Sequence, residues 1–280
     1  MYLFKFIILY KIVPKSRIRK VESYPLSVYI NKEYIFFNFY GFTQDFMNGK
    51  LYLVSTPIGN LEDITLRALN VLKTVDLIAA EDTRHTRQLL THYDIHAKLE
   101  SCHAFNEHGK TQEVLNRVLA GAKVGLVTDA GTPCVADPGF LLVREAVKAG
   151  IEPKIIPGVS ALTFAIAASG LPSDRFAFYG FLPVKSGRRS ARIAEMKNEG
   201  KSVVIFESPY RVAKLLKELC EQLGGEVLCA VIREATKIHE EVLRGTLAEL
   251  SALAEKRTRK GECVVVVHPV NDEHELDDMI

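Results

Sequence analysis

The sequence predicts an α/β protein in two parts, a mostly parallel sheet followed by a mixed one, with helices flanking both. Two observations carry this. From residue 50 onward, short apolar strands alternate with Pro/Gly loops and helical stretches, the strand–loop–helix–strand order that builds parallel sheets. Near Gly170-Leu171-Pro172 the pattern changes to strands and helices of a mixed sheet. The 280 residues are 48% apolar and 25% charged, enough to bury a sizeable core.

In the first part, Leu51 to Ser55 reads as a strand and Thr56-Pro57-Ile58-Gly59-Asn60 as a loop. A helix follows from about Thr65, with Leu66, Leu69 and Leu72 on one face. Asp76 to Ala80, Lys123 to Thr128 and Ile151 to Ile156 read as further strands. After the loop Asp129-Ala130-Gly131-Thr132-Pro133, Asp137 is expected to cap a helix that has Pro138 at its first position. Pro157-Gly158-Val159 turns into a small-residue helix, Ser160 to Ser169, closed by Gly170.

In the second part the expected strands are Arg175 to Phe181, Ser202 to Phe206, Val227 to Ile232 and Glu262 to His268. Helices are expected over Arg188 to Asn198 and from Ser208-Pro209 to Gly224-Gly225. Thr246-Leu247-Ala248-Glu249 has the spacing of a capping box. The expected division is an atypical segment over 1–46, one α/β domain over 47–171, a second over 172–270, and an acidic tail over 271–280.

The first segment differs from the rest. Residues 1–46 hold 13 of the 24 Phe and Tyr, and seven Lys/Arg against three Asp/Glu. The opening apolar run is too short to span a membrane and no small-residue cleavage site follows it. The segment is expected to be disordered or non-native, with Met47 as the true start. The five cysteines, Cys102, Cys134, Cys220, Cys229 and Cys263, include no C-x-x-C pair. Their odd number argues against a disulfide framework or a zinc site and for a reducing cytoplasm. A net charge of +2 does not mark the whole chain as a nucleic-acid binder.

Three Pro/Gly loops, Thr56 to Asn60, Asp129 to Gly139 and Pro157 to Ser160, lie at the carboxyl ends of predicted strands, where open α/β sheets bind ligands. None is G-x-G-x-x-G or G-x-x-x-x-G-K-[ST], which disfavours a nicotinamide dehydrogenase and a P-loop nucleotidase. Glycine lets backbone approach a ligand closely, so such loops can read an adenosine and a carboxylate.

At this level the resemblance becomes specific. Ser55-Thr56-Pro57-Ile58-Gly59-Asn60-Leu61 is followed by Ala80-Glu81-Asp82-Thr83-Arg84 and by His103 with Asn106-Glu107. Thr128-Asp129-Ala130-Gly131-Thr132-Pro133 follows with Asp137-Pro138-Gly139, then Pro157-Gly158. Gly170-Leu171-Pro172-Ser173-Asp174-Arg175-Phe176 and Gly180-Phe181-Leu182-Pro183 complete the series. In this order the segments closely resemble the ribosomal RNA small-subunit methyltransferase I family over residues 50–269. The resemblance implies a two-domain tetrapyrrole-methylase-like fold, a homodimer, and S-adenosylmethionine held between the domains. It implies methyl transfer to the ribose 2′-hydroxyl of a cytidine in 16S ribosomal RNA, with the small ribosomal subunit as partner and no membrane. The alternatives are a porphyrin-precursor methyltransferase and a non-catalytic RNA-binding or ribosome-assembly protein.

By resemblance, Pro57, Gly59, Asp129, Gly131, Thr132, Val135, Gly158, Ser160 and Ala161 would bind the cofactor from the first domain. Phe206, Glu207 and Ala230 would do so from the second. A ribose hydroxyl is a poor nucleophile, so a general base would help. The candidates are Glu81, Asp82, His85, His103 and Glu107, the first two and His103 being taken forward, and a reaction with no dedicated base is the alternative. Glu81 and Asp82 have an alternative role as ion-pair partners of Arg84 or Arg87, or as a helix cap. RNA needs local positive charge, and Lys185, Arg188, Arg189 and Arg192 form the clearest cluster, to which Arg84 and Arg87 would add. No metal is expected.

Overall fold

A computed structural model describes residues 28–31, 34–37, 49–103, 106–255 and 261–269. Strands β1 (Val28–Asn31) and β2 (Tyr34–Phe37) pair antiparallel in a two-stranded sheet of their own. The rest of residues 1–46, and the tail 271–280, lie outside the described residues.

The first large sheet contains β3 (Lys50–Val54), β4 (Leu77–Ala80), β5 (Leu99–Ser101), β6 (Lys123–Val127) and β7 (Lys154–Ile156). Its order is β5-β4-β6-β3-β7, and every pairing is parallel. β4 and most of β3 and β6 are buried, which suits strands covered on both faces. One face packs Leu51, Leu53 and Leu126 against α3 (Glu107–Leu119) and α4 (Phe140–Lys148), through Val114, Val118 and Leu142. The other face packs Val54, Ile78 and Val127 against α1 (Leu66–Leu72) and α2 (Thr83–His92), through Ala68, Leu72 and Leu90.

The second large sheet has the order β11-β10-β12-β9-β8. Its strands are β8 (Phe176–Phe181), β9 (Ser202–Glu207), β10 (Leu228–Arg233), β11 (Glu241–Thr246) and β12 (Cys263–His268). Only β8 and β9 run parallel; β9–β12, β12–β10 and β10–β11 are antiparallel, so the sheet is mixed as expected. On one face Ile205, Val265 and Val267 meet α6 (Ser186–Met196), α7 (Val212–Leu223) and α8 (Leu247–Glu255). The opposite face meets α5 (Ala161–Ser169), whose Ala165 and Ile166 pack with Val204, Ala230, Ile232 and Val266. α5 follows the last strand of the first sheet but buries itself on the second, so the two sheets share an element.

Local signals account for several boundaries. The Thr65 hydroxyl accepts from Ala68 N–H at 3.1 Å and starts α1. Asp82 caps α2, accepting from Arg84 N–H at 2.8 Å. The expected capping box is present: Thr246 N–H donates to Glu249 at 2.9 Å, and Glu249 N–H donates to the Thr246 hydroxyl at 3.2 Å. Gly170 closes α5 at φ +71°, and the Arg244 guanidinium donates to the carbonyls of Ala168 and Ser169.

Three expectations need correction. Leu66 is exposed, while Leu72 is buried and Leu69 packs against the core as expected, with Ala68 buried beside them. β5 and β11 were not anticipated; both are edge strands and neither buries a residue fully. Asp137 does not cap α4. The cap position is Gly139 at φ +122°, and the Glu107 carboxylate of α3 accepts from Gly139 N–H and Leu141 N–H, both at 3.0 Å. A side chain at Gly139 would meet Leu126 Cδ2 at 2.7 Å, so only glycine fits there. With the helix capped from α3, Asp137 is left to face elsewhere.

Candidate active site

The carboxyl ends of β3, β6 and β7 point the same way, so the loops that follow them meet. Thr56 and Gly131 exchange backbone hydrogen bonds in both directions, at 2.9 and 3.1 Å. The Thr56 hydroxyl donates to the Thr128 carbonyl at 3.1 Å, and the Ser55 and Thr132 hydroxyls lie 2.9 Å apart. Ser55 N–H donates to the Ile156 carbonyl at 3.0 Å. Gly158 packs so closely on Ser55 that a Cβ there would lie 2.9 Å from the Ser55 Cβ. Three local turns thereby become one rigid rim.

A cavity of about 280 Å³ opens between this rim and the second sheet. The first sheet's loops contribute Ile58, Ala130, Gly131, Thr132, Val135, Asp137, Ser160 and the first residue of α5, Ala161. From the second sheet come Phe181, Phe206, Glu207, Ile232 and the start of β12, and Ala235 comes from the loop after β10. Phe206 stands edge-on to Phe178 and Phe181, at centroid distances of 4.9 and 5.8 Å, and makes an aromatic wall.

Of the residues expected at a cofactor, Gly131, Thr132, Val135, Ser160, Ala161, Phe206 and Glu207 line this cavity. Pro57, Gly59, Asp129, Gly158 and Ala230 are not on its wall. Pro57 is buried in the rim. Gly59 gives room to the opposite loop: a Cβ there would meet the Lys237 side chain at 2.4 Å and the Ala235 carbonyl at 3.0 Å. Gly158 makes the close approach to Ser55, and Ala230 is fully buried under α5. Ile232, Ala235, Glu262, Cys263 and Val264 were not anticipated. Their signal is long-range strand pairing, which one sequence does not display.

Two of the candidate bases, Glu81 and Asp82, are linked through Asp129 beyond the ends of β4 and β6. Glu81 accepts from Asp129 N–H at 3.3 Å, and Asp129 accepts from Asp82 N–H at 3.0 Å. Burial raises the Glu81 carboxyl, and the charges of Asp129 and Asp82 add to this, while the Asp129 N–H and His103 act against it. Asp82 lies on the surface, its carboxylate held well below the usual range by hydrogen bonds from Arg84. None of Glu81, Asp82 or His103 lines the cavity. Asp137 does, and burial, aided by the charges of Glu81 and Asp129, pushes its carboxyl up to about 7.

The basic cluster splits apart. Lys185 and Arg188 are exposed near the start of α6, four and seven positions beyond Phe181. Arg192 pairs with Glu195 at 2.6 Å on the surface. Arg189 faces the core, its side chain 4% exposed and its guanidinium held by both oxygens of Glu218 at 2.6 Å. It is therefore not on the basic surface where the sequence placed it, because α6 turns that position toward α7. Arg84 is engaged with Asp82, and Arg87 is exposed.

This geometry belongs to a recognisable group of proteins. Residues 50–251 match the family described as Tetrapyrrole (Corrin/Porphyrin) Methylases. A solved uroporphyrin-III C-methyltransferase from Thermus thermophilus, complexed with S-adenosyl homocysteine, has a similar fold. It aligns with a TM-score of 0.57 at 20% identity, covering 79% of this chain and 98% of that one. A Xylella fastidiosa (strain Temecula1) protein named ribosomal RNA small subunit methyltransferase I is 46% identical over 227 residues, 80% of this chain and 83% of that one. A Thermotoga maritima protein of the same name is 47% identical over 220 residues, 78% of this chain and 98% of its own. The shared sequence places the chain in the ribosomal RNA small subunit methyltransferase I family, within the tetrapyrrole methylases.

Proposed function

We propose that this protein transfers the methyl group of S-adenosylmethionine to the ribose 2′-hydroxyl of a cytidine in 16S ribosomal RNA of the small subunit. The observation that carries the reading is the single cavity shared by all three Pro/Gly loops and the end of the second sheet.

The residues fit the cofactor. Ile58, Val135, Ile232 and Val264 with Phe181 and Phe206 give apolar and aromatic walls for an adenine ring. The first turn of α5 offers backbone N–H groups at the positive end of a helix to a carboxylate, and the Ser160 side chain caps none of them. Among the described residues no lysine or arginine lines the cavity, and Glu207 and Glu262 do, which suits a cationic sulfonium. When bound, the cofactor supplies an activated methyl, and the protein's part is placement. A two-domain division near residue 172 accords with a ligand held between two sheets.

RNA would meet Lys185, Arg188 and Arg87, which are exposed, the first two at the start of α6 and the third on α2. A homodimer accords with the apolar side chains left exposed on α4 and β7, Phe140, Val147 and Ile155. Five free cysteines accord with a cytoplasmic setting. Among the described residues, no helix is long and apolar enough to cross a membrane.

The test is incubation with methyl-labelled cofactor and either small ribosomal subunits or uroporphyrinogen. Label recovered as 2′-O-methylcytidine from 16S RNA is expected. Label in the tetrapyrrole alone, or cofactor binding without any transfer, would overturn the reading.

A further inference from the structure

Among the described residues, four titratable ones line the cavity: Asp137, Glu207, Glu262 and Cys263. Three of them are committed. Glu207 is buried, accepting from Arg211 at 2.6 Å and from Ser208 N–H at 2.7 Å. Glu262 pairs with Lys237 at 3.0 Å. Burial pushes the Cys263 thiol up to about 11, so it keeps its proton at neutral pH. Among the described residues, no lysine, arginine or histidine acts on Asp137. It stands between two left-handed positions, Ala136 at φ +63° and Gly139 at φ +122°, in a loop pinned by the Glu107 cap.

We propose that Asp137 is the general base of the transfer, its carboxylate taking the proton of the acceptor hydroxyl at the cavity wall. This rests on reading the cavity as a methyl-transfer site. The hydroxyl oxygen forms its bond to the methyl carbon as the sulfur–carbon bond breaks. The electron pair of that bond stays on sulfur, which becomes a neutral thioether, and the hydroxyl proton passes to a carboxylate oxygen of Asp137.

The surroundings equip Asp137 for this work. Glu81, at the end of β4, and Asp129, after β6, face it with like charge, and the Thr128 hydroxyl works in the opposite sense. Cys134 in the same loop is close enough to feel it, and Glu107 of α3 acts on that cysteine from behind. Desolvation and repulsion both favour the protonated form, so the carboxyl sits at about 7. A base is most effective when its pKa lies near the working pH. Glu81 then acts through Asp137, as a positioning residue that sets its basicity from outside the cavity.

The experiment compares the wild-type protein with Asp137→Asn and Glu81→Gln. Three quantities are read: transfer to small subunits across pH, cofactor affinity by calorimetry, and titration of carbon-13-labelled carboxyl groups in the ligand-free protein. Asp137→Asn is expected to lower kcat about 100-fold, within the usual range for losing a general base. Its cofactor affinity should stay within about threefold, since binding and the chemical step are separable. In the wild type, kcat/KM for the cofactor should rise with pH and level off above about 7, because the carboxylate is the active form. That limb should vanish in Asp137→Asn and move to lower pH in Glu81→Gln, where one repelling charge is gone. A carboxyl resonance titrating at about 7 should be absent from Asp137→Asn. Near-normal kcat in Asp137→Asn, an unchanged limb, or cofactor affinity falling in step with rate would overturn the proposal alone. No transfer by the wild-type protein would overturn the reading of the site as well.

Discussion

Asp137 and Gly131 occupy the same loop and depend on its bent backbone in different ways. Gly131 sits at φ +80°, and an added Cβ would lie 3.6 Å from Ile58 Cγ2, an ordinary contact. Gly131→Ala should therefore act through backbone strain rather than a clash, costing roughly 1–2 kcal/mol in denaturant unfolding and weakening cofactor affinity in calorimetry. An unchanged midpoint and affinity would show that the loop tolerates a side chain there. Burial raises the folded-state pKa of Asp137 from the usual aspartate value of 3.8 to about 7. Its contribution to stability is thus fully present below about pH 4 and is lost as pH rises through about 7. Asp137→Asn should raise Tm at pH 8 and leave it nearly unchanged at pH 4. An equal gain at both pH values would contradict the burial of this carboxylate. The sequence made Asp137 a helix cap because Asp-Pro commonly starts a helix. It could not show that Glu107, thirty residues earlier in the chain, already supplies that cap.

At the scale of elements, α6 separates structural from surface charge. Arg189 and Arg188 are neighbours in sequence, yet one is buried against Glu218 and the other is exposed. Arg189→Ala would leave Glu218 without its buried partner and should destabilise the protein by about 3 kcal/mol. Arg188→Ala should leave Tm unchanged while weakening binding to small-subunit RNA and flattening its salt dependence. Filter binding across salt, set beside thermal unfolding, separates the two; equal effects of both variants on Tm would contradict the assignment. The cluster was legible in the sequence as composition, but which arginine faced inward depended on how α6 packs on α7. The loops after β3, β6 and β7 were legible for the opposite reason. Proline and glycine act within a few residues, so their turns are local properties. The second sheet's share of the cavity was only partly so. Ala230 was expected at the site, and the structure puts Ile232 there, two residues further along β10 and on the same face. Strand alternation gives the face, but where a strand meets the cavity is fixed by pairing with β12, more than thirty residues away.

Across the whole molecule, two sheets with their own cores are joined by α5 and by the close approach of Gly59 to the loop carrying Lys237. Among the described residues, neither large sheet includes β1 or β2, which pair with each other. Removing residues 1–46 should leave Tm and methyl transfer unchanged, as measured by thermal unfolding and a label-transfer assay; loss of either would give that segment a structural or functional role. The α/β class, the change from a parallel to a mixed sheet and most strands could be read from residue patterns, because apolar runs and turn residues declare themselves locally. The sheet orders could not, since they are set by contacts distant in sequence. Methyl transfer by this protein requires that this one hollow be the methyl-donor site. The most direct measurement is a crystal structure with S-adenosylhomocysteine bound. The ligand is expected between Gly131, the start of α5 and Phe206, with Asp137 facing the sulfur side; a ligand bound anywhere else on the molecule would contradict the account.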